Sequence, residues 1–286
     1  MLTIFKKELL VILRGGLGNQ LFIYTASKKI AKELGILKIN YIFNVDILRN
    51  FIDIRYFIKN LDIKDCKKSN KLTFFKIFLK HKIFYKNIND NIKNIQFYFW
   101  QKKFLLNGYF QNKRWYKYEL FDVIKNIFSH NLIKKLKEIP KHDLVISFRR
   151  GDYIKLGCAL NLNYYYLAIN KLQLKKYEKI KIVTNEGFIP KEFLNYLTKK
   201  KLKVIKNKNY YPKKNKSLVD FLTLIKSKKL IMSNSSFCWW AAVCRNKLGL
   251  SPKNVIYPKF WTPSPNIHPG NPLGWLRINN SFEKKN

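Results

Sequence analysis

Short apolar runs recur along the chain, each followed by a polar or glycine-rich turn and then by a stretch of helical periodicity. Leu9-Leu10-Val11-Ile12-Leu13 is too short for a helix and shows no polar alternation, so it predicts a buried strand. Arg14-Gly15-Gly16-Leu17-Gly18 then reads as a tight loop. Over residues 19–34, Leu21, Phe22, Ala26, Ile30, Ala31 and Leu34 fall near helical spacing, with Gly35 as the stop. A second strand is expected at residues 39–43, and one leading into a polar turn at 105–111. Residues 115–128 predict an amphipathic helix, whereas 50–101 phase poorly and predict short helices and loops.

The second half repeats the scheme. Asp143-Leu144-Val145-Ile146 predicts a buried strand that opens into Ser147-Phe148-Arg149-Arg150-Gly151-Asp152-Tyr153. A helix is expected at 163–174, a strand at 180–183 ending in Thr184-Asn185-Glu186, and a helix at 218–225. Leu230-Ile231-Met232 predicts a short strand that runs at once into Ser233-Asn234-Ser235-Ser236 and a helix carrying Trp239 and Trp240. Residues 255–258 predict the last strand, and 262–272 a proline-rich wrapping loop. Strands alternating with helices predict an α/β protein in two halves. Pro140 interrupts residues 134–142, so the expected domains are 1–138 and 139–286.

Three turns carry candidate chemistry. A strand, a glycine-rich turn and a helix make the opening of a nucleotide-binding unit, but G-G-x-G-N-Q is not the dinucleotide fingerprint. Asn19 is read first as the helix cap and second as a ligand contact. Arg149 and Arg150 stand where a strand opens into a loop, the usual ligand position in such sheets. An arginine fork matches a phosphate well, and a surface Arg-Asp ion pair is the plainer alternative. Ser235 and Ser236 ahead of a helix suit phosphate oxygens or an ordinary cap. The two tryptophans read as core.

Composition narrows the class. At 286 residues with 47% hydrophobic and 16% aromatic content, the chain has ample material for folded cores. No run approaches the length of a membrane-spanning helix, and residues 1–13 read as a first strand, not a signal peptide. Four cysteines without C-x-x-C spacing are expected as reduced thiols in the cytoplasm. The four histidines are scattered, no zinc spacing can be drawn, and D-x-D is absent. The net charge of +40 admits a solvated surface, an anionic membrane or nucleic acid. An AT-rich coding bias toward Lys, Asn, Ile, Phe and Tyr accounts for much of it without function. Residues 199–216 hold nine lysines and no acid, read mainly as a solvated face. A nucleic-acid-binding protein would interleave basic and aromatic residues on one face, and the three candidate turns do not.

Taken together, three stretches resemble bacterial alpha-1,2-fucosyltransferases, glycosyltransferase family 11. They are Gly15-Gly16-Leu17-Gly18-Asn19-Gln20-Leu21-Phe22, then Arg149-Arg150-Gly151-Asp152-Tyr153, then residues 233–242. Gly108-Tyr109-Phe110-Gln111 and Pro258-Lys259-Phe260-Trp261 match family patterns as well, and the resemblance runs from about residue 9 to 262. It implies a GT-B fold, two Rossmann-like domains facing across a cleft, with GDP-fucose held mainly by the C-terminal one and the acceptor on the side of the N-terminal one. It also implies inverting, metal-independent transfer of fucose to a galactose 2-hydroxyl. The implied acceptor is a galactose-bearing oligosaccharide or lipid-linked glycan, which would place the protein in the cytoplasm or peripherally on the inner membrane.

By the same resemblance, Arg149 contacts the β-phosphate while Arg150 and Asp152 brace its loop. Asn234, Ser235 and Ser236 are expected on the phosphate side, and Gly16, Gly18 and Asn19 approach the diphosphate from the other half. Asp220 is expected to read guanine. The base is unassigned, with Asp152 and Glu186 as carboxylate candidates. Two departures stand out: Ser147 and Lys229 occupy positions where relatives often carry histidine. A serine can hydrogen-bond phosphate or sugar but carries no charge and is no base near neutral pH.

Overall fold

The computed structural model describes residues 7–43, 54–58, 63–64, 85–92, 101–128, 130–184, 189–205, 216–264 and 268–283. Most of residues 50–101, Glu186, Cys66 and the middle of the lysine-rich run lie outside the described residues. The chain forms two α/β units, residues Met1–Ser129 and His130–Asn286. The division precedes the expected boundary at 138/139 because helix α3 (His130–Glu138) ties into the second unit. Lys226 Nζ donates to the carbonyl oxygens of Leu136 (2.8 Å) and Lys137 (3.1 Å), satisfying acceptors at the end of α3.

In the first unit, β1 (Glu8–Leu13) lies between β2 (Lys38–Phe43) and β5 (Lys103–Leu106), with β3 (Ile63–Lys64) and β4 (Lys86–Ile88) outside them. The order is β3-β2-β1-β5-β4, and the pairings among the described residues are parallel. Leu9 to Leu13 are all buried, which is why their run carries no polar alternation. Helix α1 (Leu17–Leu34) starts two residues earlier than the periodicity indicates, with Gly16 as its N-cap. At the other end Gly35 takes φ 64°, and Ile36 N–H reaches Ala31 O at 2.8 Å, closing the helix as expected. The helix expected at 115–128 is shorter: a 3-10 turn at Lys113–Trp115 precedes α2 (Leu120–Ile127).

In the second unit, β6 (Leu144–Phe148), β7 (Lys179–Thr184), β8 (Lys203–Val204), β9 (Lys229–Ile231), β10 (Val255–Pro258) and β11 (Leu276–Ile278) form one sheet. Its order is β11-β10-β9-β6-β7-β8, again with parallel pairings. Counted from β6, this is the 3-2-1-4-5-6 order of a dinucleotide-binding doubly wound sheet.

Aromatic packing clamps helices to this sheet. Phe148 stacks on Phe193 of α6 (Lys191–Lys199) at 5.3 Å between centroids and meets Tyr165 of α5 (Leu162–Lys171) at 4.8 Å. Each such pair contributes roughly 0.5–1.5 kcal/mol beyond its buried area. A short helix, α4 (Asp152–Lys155), follows β6. Next to α7 (Lys216–Lys226), helix α8 (Ser236–Asn246) buries Trp239 and Trp240 completely, as the sequence indicates. Buried Arg245 fixes the far end of α8 by donating to Ser227 and to Lys228 O, the latter at 3.0 Å. Burial lowers its guanidinium to about 10.

Candidate functional site

The strand order of the second unit reverses between β6 and β9, and ligands of open α/β sheets bind beyond the carboxyl ends of strands at such a switch point. Both loops singled out from the sequence leave the sheet there. The switch point is buried and firmly bonded. Ser147 Oγ and Ser233 Oγ, both buried, hydrogen-bond at 2.8 Å. Tyr165 Oη donates to Ser147 O at 3.4 Å and Tyr164 Oη to Met232 O at 2.7 Å, so two buried phenols satisfy carbonyls near the carboxyl ends of the two strands. Burial pushes both phenols far above the ordinary tyrosine range, so they remain donors. Ser147 is thus placed among protein partners at the root of the loop.

Beyond this base the chain turns at Gly151, whose φ of 35° favours glycine. Arg149 Nη2 donates to both carboxylate oxygens of Asp152, at 2.9 and 3.2 Å, and its guanidinium lies 4.9 Å from the centroid of Tyr153. Its Nε is buried with no hydrogen-bond partner among the described residues. Arg150 donates instead to the carboxylate of Glu283. Both arginines are therefore counter-charged, each by a different acid. Tyr153 Oη donates to Asn234 O at 3.3 Å, joining the two loops. Asn234 Nδ2 donates to Cys158 O (2.9 Å) and Trp261 O (2.8 Å), so this buried amide acts as an internal tie.

Ser235 is the extended N-cap of α8 and its hydroxyl makes no capping bond, and Ser236 opens the helix. The first turn of α8 contains no acid, and its backbone N–H groups make an electropositive end beside the arginine loop. Cys238 is buried beneath this turn, and burial raises its thiol to about 12 against the pull of Ser147. It is packing, not a nucleophile. Of the cysteines, Cys158, Cys238 and Cys244 are unbridged.

Asp220 of α7 accepts from Lys216 Nζ at 2.8 Å, and the same ammonium donates to Thr184 O at the carboxyl end of β7. Asp220 thus belongs to the same edge of the sheet as Arg149. Burial raises its carboxyl group, with Lys216 opposing. Lys229 is a different matter: it is the first residue of β9, bonded to Glu178 at 3.0 Å. In a parallel sheet the first residue of β9 lies at the edge opposite the Ser233–Ser236 turn. Its replacement of histidine therefore does not alter that turn directly.

In the first unit the order reverses between β1 and β5, and the glycine-rich loop and the 108–111 turn meet there. Gln111 Nε2 donates to Asn19 Oδ1 at 2.9 Å. Asn19 is not the helix cap favoured from sequence, because the helix begins at Leu17 and makes no side-chain capping bond. Gln20 spans the loop, donating to Gly15 O at 2.8 Å and accepting from Ile54 N at 2.9 Å. Gly16 holds the N-cap position and Gly18 is buried in the first turn of α1. Gly15 has φ 70° and a Cβ there would sit 2.7 Å from Asn19 Nδ2, so the close approach requires glycine.

Sequence reasoning missed three participants. Asp90 accepts the N–H groups of Tyr109 (3.0 Å) and Phe110, which shapes the 108–111 turn. Arg14 stands beside them with its guanidinium 5.8 Å from the Tyr109 ring, its pKa lowered by burial while Tyr109 and Asp90 oppose. Glu283 is the third. Asp90 and Glu283 belong to no local motif, and Arg14 heads the glycine-rich loop without a role legible there; tertiary contact reveals what all three do. Among the described residues, no cluster of three or more His, Cys, Asp or Glu is placed to hold a metal, and no helix is long and apolar enough to cross a membrane.

The family model for glycosyl transferase family 11 matches residues 4–260. Among solved structures, the chain is similar to fucosyltransferase NodZ from Bradyrhizobium, with 10% identity and a TM-score of 0.46 over 83% of this chain and 92% of that one. It is similar to a mutant of Arabidopsis thaliana FUT1 in complex with GDP, with 10% identity and a TM-score of 0.47 over 84% of this chain and 68% of that one. A third is E. coli heptosyltransferase WaaC with ADP, at 9% identity and a TM-score of 0.42 over 95% of this chain and 93% of that one. No curated protein matches by sequence. Family membership rests on the family model alone.

Proposed function

The chain belongs to glycosyl transferase family 11, and we propose that it transfers fucose from GDP-fucose to the 2-hydroxyl of a galactose in a glycan acceptor. The observation that carries this reading is the switch point of the second unit, where Arg149, Arg150 and the N-terminal turn of α8 converge on one end of a Rossmann-ordered sheet. Arginine forks beside a helix N-terminus suit a diphosphate. The buried Nε of Arg149, which has no partner among the described residues, is a donor suited to an acceptor oxygen of the substrate.

In this reading the acceptor oxygen attacks fucose C1 as the bond from C1 to the β-phosphate oxygen breaks, inverting the anomeric centre. Negative charge grows on the departing GDP. Arg149, the N–H groups at the start of α8 and the hydroxyls of Ser235 and Ser236 take it up, and no metal is required. Preorganised donors of this kind are commonly the largest catalytic contribution. Arg150 and Asp152 hold Arg149 and its loop, and Asp220 reads guanine. In the first unit, the turn of Gly16, Gly18 and Asn19 is proposed to take part in substrate binding. Asp152 serves as the counter-ion of Arg149, so the acceptor hydroxyl gives up its proton late, to solvent water. A lipid-linked acceptor at an anionic leaflet would suit the charge of +40 and a peripheral cytoplasmic location.

The test is GDP release from GDP-fucose with EDTA present and lactose or N-acetyllactosamine as acceptor, wild type beside Arg149→Ala. Acceptor-dependent turnover that survives EDTA and collapses in the variant supports the proposal, and the linkage is read from the isolated product. Absence of GDP-fucose binding by the wild type overturns it.

A further inference from the structure

We infer that Glu283 is a positioning residue for Arg150, and that the strap of residues 276–283 belongs to the apparatus that holds the donor diphosphate; this rests on the donor reading above. Glu283 is the only acidic residue after Asp220 and lies beyond the 4–260 segment matched by the family model. Nothing in its local sequence singles it out, yet its carboxylate receives Arg150 Nη1.

The strap is fixed along its length. β11 pairs with β10, and Lys259 N–H donates to Ile278 O at 2.8 Å. Asn280 brackets Phe260, its Oδ1 accepting from Phe260 N at 2.8 Å and its Nδ2 donating to Phe260 O at 3.0 Å. An antiparallel bridge then joins Leu160 and Phe282, flanked by Asn161 N–H to Ser281 O (3.1 Å) and Glu283 N–H to Ala159 O (2.8 Å). Phe282 packs against the apolar core of the second unit. Backbone and core contacts thus deliver the Glu283 carboxylate to a fixed point.

That point matters because Arg149 and Arg150 are adjacent and alike in charge. Asp152 neutralises the first and Glu283 the second, both in partly buried pairs. Water screens such pairs incompletely, so each carboxylate can hold its guanidinium in place. With Glu283 neutral, Arg150 loses its anchor and is repelled by Arg149, and the loop that presents Arg149 to phosphate loses its brace.

The experiment is calorimetric titration with GDP of wild type, Glu283→Gln, Glu283→Asp, Arg150→Ala and the double variant Arg150→Ala/Glu283→Gln, each with a melting curve. Glu283→Gln is expected to weaken GDP binding roughly tenfold, the lower end of what one hydrogen bond to a charged group contributes. Glu283→Asp should recover part of the loss, and the glutamine change should have no further effect when Arg150 is already alanine. Unchanged or tighter binding by Glu283→Gln overturns the inference, as does an equal loss in the Arg150→Ala background, which would mark a purely structural strap. If Glu283→Gln melts below the assay temperature, Glu283→Asp carries the same comparison and must bind more weakly than wild type. A wild type that fails to bind GDP overturns the donor reading itself, and that result is seen before any variant is compared.

Discussion

Ser147 Oγ and Ser233 Oγ lie 2.8 Å apart and join β6 to β9 just past the end of their backbone ladder, which closes with Ile146 opposite Ile231. The bond closes the floor of the switch point. Replacing Ser147 by alanine removes this partner from the buried Ser233 hydroxyl, at a cost of about 1–3 kcal/mol, whereas in Ser233→Ala the Ser147 hydroxyl keeps its bond with the Cys238 thiol. Removing both should cost less than the sum of the single changes, because no orphaned hydroxyl remains. Urea denaturation of the two single variants and the double variant measures this, and additive losses would mean the pair is energetically idle.

Arg149→Lys keeps the positive charge but not the fork that reaches both Asp152 oxygens and leaves Nε free for a ligand. We expect it to behave more like Arg149→Ala than like wild type, with turnover reduced on the order of 10²-fold, the scale of losing one preorganised donor. Initial rates at saturating GDP-fucose decide it: lysine rates within a few-fold of wild type would reduce the role of Arg149 to simple charge.

At Gly108 an added Cβ would stand 2.7 Å from Asp90 Oδ2 and 3.0 Å from both Asp90 Cγ and Phe110 Cε2. Asp90 is not free to retreat, since it accepts the N–H groups of Tyr109 and Phe110. Gly108→Ala should therefore lower stability by roughly 1–3 kcal/mol, as overpacking does. Thermal or urea melts test this, and a neutral result would show that the turn can shift without loss.

His268 supplies a pH dependence. Its Nδ1 accepts from Gly270 N–H at 2.7 Å, while Gly270 O accepts from Trp239 Nε1 at 3.0 Å, tying this loop to α8. Burial, assisted by Arg277, holds the imidazole below its ordinary 6.5, although the carbonyls of Pro258 and Lys259 oppose. The unfolded chain therefore binds the proton more readily than the folded one. The stability at stake is fully present above pH 6.5 and is lost as pH falls through the lower, folded value. His268→Asn keeps an acceptor and cannot titrate, so its melting temperature should fall less than that of wild type as pH is lowered from 6.5. Parallel curves for the two proteins would exclude His268 as the cause.

Much of the chain's local order was legible in its pattern of apolar residues. The runs at 9–13, 144–146 and 255–258 became buried strands because parallel strands covered on both faces need no polar alternation. Gly35 ended α1 because its φ of 64° suits glycine. Trp239 and Trp240 became core because they stand on a helix with little exposed face. The motifs at Arg149 and Ser235 were visible as chemistry at strand ends, and they lie there.

What the sequence by itself determined, then, was the alternation of strands and helices, the residues that make the cores and the turns that carry charge or hydroxyls. These follow from short-range periodicity and backbone preference, which act over a few residues. Tertiary structure decided the strand order that brings residues 147–153 and 233–236 to one switch point. It also decided that Asn19 faces Gln111 instead of capping its helix and that Lys229 stands at the far edge of the sheet. The pairing of Arg150 with Glu283, 133 residues away, was likewise settled only there. Such partners are chosen by the closing of long loops and the neutralisation of half-buried charge, and neither leaves a local mark in the chain.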